Sequence, residues 1–163
     1  MKEERYFYAP DVRTTGALPD EEAAHAVRVL RLHEGDPLWC MDGAGCFLRC
    51  EIAAATNHKC LVNIKDECPQ ERQWQGTLTL AFAPTKNMDR TEWLVEKAVE
   101  IGVDRLVLLD CKNSERRIVK TERLEKIVVS AMKQSRKAWK TTVEGLVPIE
   151  DFIAAASGIR HIA

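Results

Sequence analysis

Apolar and polar positions follow two different rhythms along the chain, and the change falls near Pro69–Gly76. In the front part, Asp20, Glu21 and Glu22 open a helical stretch through Leu30 that puts Ala23, Ala26, Val27 and Leu30 on one face. The turn pair Gly35-Asp36 then precedes a strand, Pro37-Leu-Trp-Cys-Met41. Asp42-Gly43 is a hairpin signal leading into Cys46-Phe-Leu-Arg-Cys-Glu-Ile52, and Lys59-Cys-Leu-Val-Asn-Ile64 supplies a further strand. Short strands punctuated by turns, with one brief helix, predict a small barrel of about 70 residues.

Behind the polar, turn-forming stretch Glu67–Gly76 the period changes. Thr77-Leu-Thr-Leu-Ala-Phe-Ala83 reads as a strand and Pro84–Met88 as a loop. Asp89 with Glu92 three residues on is a capping-box arrangement. It starts a helix with Leu94, Val95, Ala98 and Ile101 inward and Gly102 at its end. Arg105-Leu-Val-Leu-Leu-Asp110 is a continuous apolar strand, as in a parallel sheet covered on both faces, and completes a β-α-β unit with an expected right-handed crossover. A second helix begins at Thr121, with Leu124, Ile127, Val128, Ala131, Ser135 and Ala138 on its inner side. Its outer side carries Lys126, Lys133, Arg136, Lys137 and Lys140. Pro148 introduces a short helix, Ile149–Ala156, and Gly158–Ala163 reads as the start of another strand. The expected class is α/β, with domains at residues 1–72 and 73–163. A parallel sheet ending on a barely started strand predicts a continuation beyond Ala163.

Composition narrows the class of protein. The 163 residues are 45% hydrophobic and 30% charged, enough for one core or two small ones. The longest apolar runs, Leu106–Leu109 and Phe152–Ala156, fall far short of the roughly 20 residues a membrane span needs. The first residues, MKEERYFYAP, are charged where a secretory leader is apolar, so a cytoplasmic location is expected. Cys40, Cys46, Cys50, Cys60, Cys68 and Cys111 form no C-x-x-C pair, and His25, His33, His58 and His161 have no zinc-finger spacing. Buried thiols acting as small hydrophobes are therefore expected in place of a metal site.

The net charge of −1 conceals an asymmetry. Residues 1–75 hold 9 Lys and Arg against 13 Asp and Glu, whereas residues 112–140 hold ten basic side chains and three acidic ones. Such a concentration attracts a polyanion through counterion release; the alternative is an ordinary solvated helix face.

The ordered series Arg5-Tyr6-Phe7, His25-Ala-Val-Arg-Val-Leu-Arg31, Gly35-Asp36, Asp42-Gly43, Lys86, Glu96-Lys-Ala-Val-Glu-Ile-Gly-Val103, Ser114-Glu-Arg116 and Gln134-Ser135 resembles the ribosomal RNA small subunit methyltransferase E family. The match runs in register from about residue 5 to the end of the chain. The resemblance implies an N-terminal PUA-like RNA-binding barrel joined to a SPOUT-type parallel-sheet domain, with methylation of N3 of a uridine in 16S ribosomal RNA. It also implies S-adenosylmethionine as cofactor, bound in a trefoil knot that forms a homodimer. The family's glycine-rich methyl-donor turns have no counterpart in residues 1–163, so that site and the knot are expected C-terminal to Ala163, and no catalytic residue is assigned. Arg117, where the family more often has a small residue, and Lys137, where an arginine is common, depart from the pattern but keep positive charge.

Methylation at N3 requires loss of a proton and stabilisation of charge on the uracil oxygens, and the base must be unpaired or extruded. Lys86 and Arg116 sit in loops after successive strands, at the carboxyl ends where parallel sheets bind ligands. With Arg117, Lys133, Arg136 and Lys137 they are candidate RNA contacts. Arg28 and Arg31 flank the apolar helical face of the front domain and are candidates for phosphate. Gln134 and Ser135 are either functional or polar packing, His25 reads as structural, and Trp39, Trp74, Trp93 and Trp139 read as packing before base stacking. Three functions remain: a methyltransferase whose activity belongs to a longer chain, an RNA-binding module without methyl transfer that acts on its own, or an unrelated β-α-β protein.

Overall fold

The computed structural model describes residues 4–56, 58–114 and 116–162; Glu115 of the Ser114–Arg116 motif and Ala163 lie outside these. The chain divides into two compact units: residues 4–75 with 129–140, and residues 76–128 with 141–162.

The first unit is built on a four-stranded sheet in the order β1-β2-β3-β4. Its strands are β1 (Tyr6–Tyr8), β2 (Pro37–Met41), β3 (Cys46–Ala55) and β4 (Cys60–Pro69). β1 runs parallel to β2, and the other neighbours are antiparallel. Alternation decides which side chains turn inward. Phe7, Leu38, Cys40, Cys46, Leu48, Cys50, Ile52, Cys60 and Val62 are buried together, and the four cysteines fill the role of small hydrophobes. Helices α1 (Val12–Thr15) and α2 (Asp20–Ala24) add Val12 and Ala23, and a π-helical turn, His25–Val29, continues α2 and adds Ala26. Among the described residues no ladder joins β1 to β4, so the sheet is open and not a closed barrel. The start of β4 is instead met by Ala17, through an antiparallel bridge to Leu61.

The hairpin between β2 and β3 is pinned at Asp42, whose Oδ1 accepts the N–H groups of Ala44 (2.8 Å) and Cys46 (2.9 Å). Its Oδ2 accepts from Arg13 Nη1 at 2.7 Å, and the same guanidinium holds Glu67. Burial opposes ionisation of Asp42, but Arg13 and these two N–H groups outweigh it and hold the carboxyl below its usual range. Residues 129–140 close the unit. The Trp139 ring rests on Gly45, where φ is +103° and a β-carbon would fall within 2.7 Å of Cη2. The indole N–H donates to Gln70 O at 3.0 Å, and Arg72 lies 4.0 Å above the ring.

The second unit has a parallel sheet in the order β5-β6-β7, formed by β5 (Thr79–Phe82), β6 (Arg105–Asp110) and β7 (Thr142–Pro148). The central strand buries Leu106, Val107, Leu108 and Leu109. Helix α3 (Met88–Ile101) packs Thr91, Val95, Ala98 and Val99 inward and ends at Gly102, φ +99°. Helix α4 (Thr121–Ser135) contributes Leu124 and Val128 to this unit and Ala131 and Met132 to the first.

Several sequence expectations are corrected. The cap of α3 is Asn87, not Asp89, because its side chain reaches Asp89 N at 3.0 Å and the helix begins two residues earlier, at Met88. β4 runs on to Pro69, into the stretch read as linker, because its pairing with β3 continues to Cys46. The third strand of the parallel sheet is β7, whose pattern is interrupted by Gly145. That residue is skipped in the register, Val107 facing Glu144 and Leu108 facing Leu146. Residues 158–162 are not a strand. α4 ends at Ser135 because Arg136 turns to φ +52°, so Lys137, Ala138 and Lys140 lie beyond the helix. Among the described residues no helix is long and apolar enough to cross a membrane, and no group of three His, Cys, Asp or Glu is placed to hold a metal.

Candidate nucleic-acid interface

In the second unit, the loops after β5 and β6 both leave the carboxyl edge of the parallel sheet, and their side chains meet. Lys86 from the first loop and Ser114, Arg116, Arg117 and Ile118 from the second line an open pocket of about 360 Å³. Local hydrogen bonds set this geometry. Ser114 Oγ accepts Cys111 N–H at 3.1 Å and tightens the turn that leaves β6. Thr85 Oγ1 donates to Asn87 O at 2.6 Å and shapes the other loop. Arg116 Nη2 donates to Lys86 O at 2.9 Å and ties the two loops together, while its Nε is buried without a hydrogen-bond partner among the described residues. Arg117 reaches back, with Nη2 3.4 Å from Lys112 O and Nε 3.9 Å from Asp110 Oδ1. Three cations and a hydroxyl around one opening favour a polyanion.

The remaining candidates lie in the first unit. Arg28 is on the π-helical turn, its Nη2 3.5 Å from His58 Nδ1, and Arg31 follows in a left-handed conformation, φ +53°. Lys133, at the C-terminal end of α4, is drawn inward: its Nζ donates to Glu22 Oε1 at 2.6 Å, and the two side chains are only 24% and 11% exposed. Arg136 lies 5.3 Å over the Tyr6 ring and 3.4 Å from Glu4, and Lys137 Nζ donates to Gln73 at 2.8 Å. Gln134 is exposed, and Ser135 Oγ donates to Ala131 O at 2.6 Å, as polar packing within a helix. The His25 ring is exposed, its centroid 6.0 Å from that of Phe7. Trp39 stacks on Tyr6 with centroids 6.2 Å apart, whereas Trp74 and Trp93 are exposed.

The structure thus gathers Lys86, Arg116 and Arg117 into one pocket, puts Arg28 on the π-helical turn with Arg31 just beyond it, and leaves Lys133 in a shielded ion pair. Sequence reasoning did not single out Ile118, which is 80% exposed at the pocket, and placed Lys140 only in the basic cluster, whereas its Nζ lies 5.5 Å over Tyr8. Ile118 has no signal in the linear pattern.

A family model described as an RNA methyltransferase domain matches residues 72–163, and one described as an RNA methyltransferase PUA domain matches residues 18–65. These matches, on this fold, define a chain of the RNA methyltransferase class, with a PUA domain ahead of the methyltransferase domain. Ribosomal RNA small subunit methyltransferase E of Bacillus subtilis is 29% identical over 136 residues, which cover 78% of this chain and 50% of the relative. The protein of the same name from Rickettsia conorii is 27% identical, covering 83% and 55%. The chain belongs to the ribosomal RNA small subunit methyltransferase E family. It spans about half the length of these curated relatives. A crystal structure of a probable rRNA-methyltransferase from Porphyromonas gingivalis shares 44% identity and a TM-score of 0.88, over 94% of this chain and 64% of that one. A ribosomal RNA small subunit methyltransferase E from Neisseria gonorrhoeae, solved with S-adenosyl methionine bound, shares the fold at 21% identity and a TM-score of 0.83, over 95% and 66% of the two chains.

Proposed function

We propose that this chain carries the RNA-holding part of a methyltransferase that modifies N3 of a uridine in 16S ribosomal RNA, acting on the transcript or the small ribosomal subunit in the cytoplasm. The observation that carries the reading is the convergence of Lys86, Arg116 and Arg117 on one pocket at the carboxyl edge of the parallel sheet. In this reading residues 1–72 are the RNA-binding domain and residues 73–163 the opening of the methyltransferase domain. Arg28, Arg31, Arg136 and Lys137 add phosphate contacts. Lys133 supports them from its pair with Glu22 more than by touching RNA itself.

At the pocket, the guanidinium and ammonium groups hold the phosphates flanking the target and stabilise the negative charge left on a uracil oxygen when the N3 proton passes to solvent water. The same cations repel a sulfonium, so the pocket fits the RNA and not the methyl donor. In this reading S-adenosylmethionine supplies the methyl group from a site built by other residues, and the homodimer belongs to the same family reading.

Fluorescence anisotropy with a 16S ribosomal RNA fragment, titrated at several salt concentrations, tests the proposal. Each phosphate contact adds roughly 0.7–0.9 to the slope of log affinity against log salt, so the triple variant Lys86→Ala/Arg116→Ala/Arg117→Ala is expected to lower that slope by about 2. Wild-type binding that is independent of salt, or a triple variant with unchanged slope, refutes the assignment. Calorimetry of residues 1–163 with S-adenosylmethionine is expected to show no saturable binding.

A further inference from the structure

Among the cations of the Lys86 pocket stands a residue of the opposite character. Ile118 follows Arg116 and Arg117 in the loop after β6, lines the same pocket, and is 80% exposed. Exposed single aliphatic residues are common, but this one lines a pocket together with groups that attract phosphate. Polynucleotide readers that open a base stack use this combination: cations hold the backbone on either side while an apolar side chain enters the gap. The bare butyl group has no polar atom to satisfy, so it can replace a base against its stacked neighbours without leaving a hydrogen bond unmade.

A second observation points to an occupant. Arg116 Nε is buried and unpartnered among the described residues, although Nη2 of the same guanidinium is committed to Lys86 O at 2.9 Å. A buried N–H donor left without an acceptor beside an open pocket is suited to an oxygen that arrives with the ligand. Phosphate or uracil carbonyl oxygen fits that donor, and the pocket's three cations match the flanking phosphodiesters.

We infer that Ile118 is an apolar wedge, and that the pocket of Lys86, Ser114, Arg116 and Arg117 receives a pyrimidine nucleotide unstacked from its neighbours. This deepens the proposed function and rests on it. Ile118 works by holding the stack open, which makes it a positioning residue. The energy of unstacking is offset by the phosphate contacts around it.

The test uses the 163-residue chain and a short RNA hairpin with a uridine in its stem and 2-aminopurine as the 3′ neighbour of that uridine. Anisotropy gives affinity, and 2-aminopurine fluorescence at saturation reports loss of stacking next to the uridine. Wild type is expected to raise the fluorescence on binding. Ile118→Ala is expected to keep affinity within about threefold, since phosphate contacts carry most of the binding, yet to lose the rise, and Ile118→Leu to retain it. Because Ile118 is largely exposed, these variants are expected to fold, which far-ultraviolet circular dichroism checks. An Ile118→Ala chain with the full fluorescence rise overturns the wedge, as does a wild-type chain that saturates with no rise; both leave the RNA-binding reading standing. Absence of salt-dependent binding by wild type overturns that reading and the wedge with it.

Discussion

The seat of Trp139 on Gly45 offers a perturbation whose cost follows from geometry. Gly45→Ala places a methyl group inside the indole while the backbone stays at φ +103°. Holding a side-chain-bearing residue there costs about 1–2 kcal/mol. The ring must also leave, giving up the bond from its N–H to Gln70 O and the Arg72 guanidinium above it. Those are worth about 1 kcal/mol and about 0.5–1 kcal/mol. The sum is about 3 kcal/mol, or a fall of roughly 6–12 °C in melting temperature for a chain of this size. The decisive assay is a double-mutant cycle by thermal or urea unfolding. In a Trp139→Ala background the ring is already gone, so Gly45→Ala is expected to cost only the backbone term, leaving a coupling of about 1.5–2 kcal/mol. Strict additivity of the two substitutions refutes the seating of Trp139 on Gly45.

Three further outcomes are expected. Asp42 and Glu67 are both held below the usual carboxylate range, the former by Arg13 and two N–H groups and the latter by Arg13. Their contribution is therefore complete above about pH 4.3 and is lost as pH falls through the lowered values. Melting curves from pH 7 to pH 2 should show this decline, and Asp42→Asn should be less stable at pH 7 and flatter in acid. A variant that tracks wild type across the range contradicts the network. Lys133→Ala leaves the shielded Glu22 carboxylate unpaired and is expected to cost about 2–3 kcal/mol, whereas Glu22→Gln/Lys133→Met together recover most of it, read by urea unfolding. Leu106→Ala in the fully buried central strand is expected to cost about 3–4 kcal/mol, and a cost below about 1 kcal/mol by the same measurement is incompatible with its place in the core.

What the amino-acid sequence determined by itself is what neighbouring residues settle among themselves. The alternation in Cys46–Ile52 sets which side chains turn inward, the unbroken apolar run Leu106–Leu109 makes a strand buried on both faces, and Gly102 stops α3 because its backbone can turn left-handed. Lys86 and Arg116 were legible as candidates because loops at the carboxyl edge of a parallel sheet are implied once the strands are known. Tertiary structure decided what depends on partners distant in the chain. β7 is a strand because β6 lies beside it to pair with, although Gly145 breaks its pattern. Residues 129–140 join the first unit because Gly45 leaves room for Trp139 and Glu22 draws in Lys133, which turns a residue of the apparent basic face into a shielded pair. Lys86 and Arg116 are thirty positions apart and meet only because parallel pairing of β5 and β6 brings both loops to one edge. Periodicity records the face a residue presents; it holds nothing about what arrives from elsewhere in the chain to meet that face, and that meeting makes both the core and the pocket.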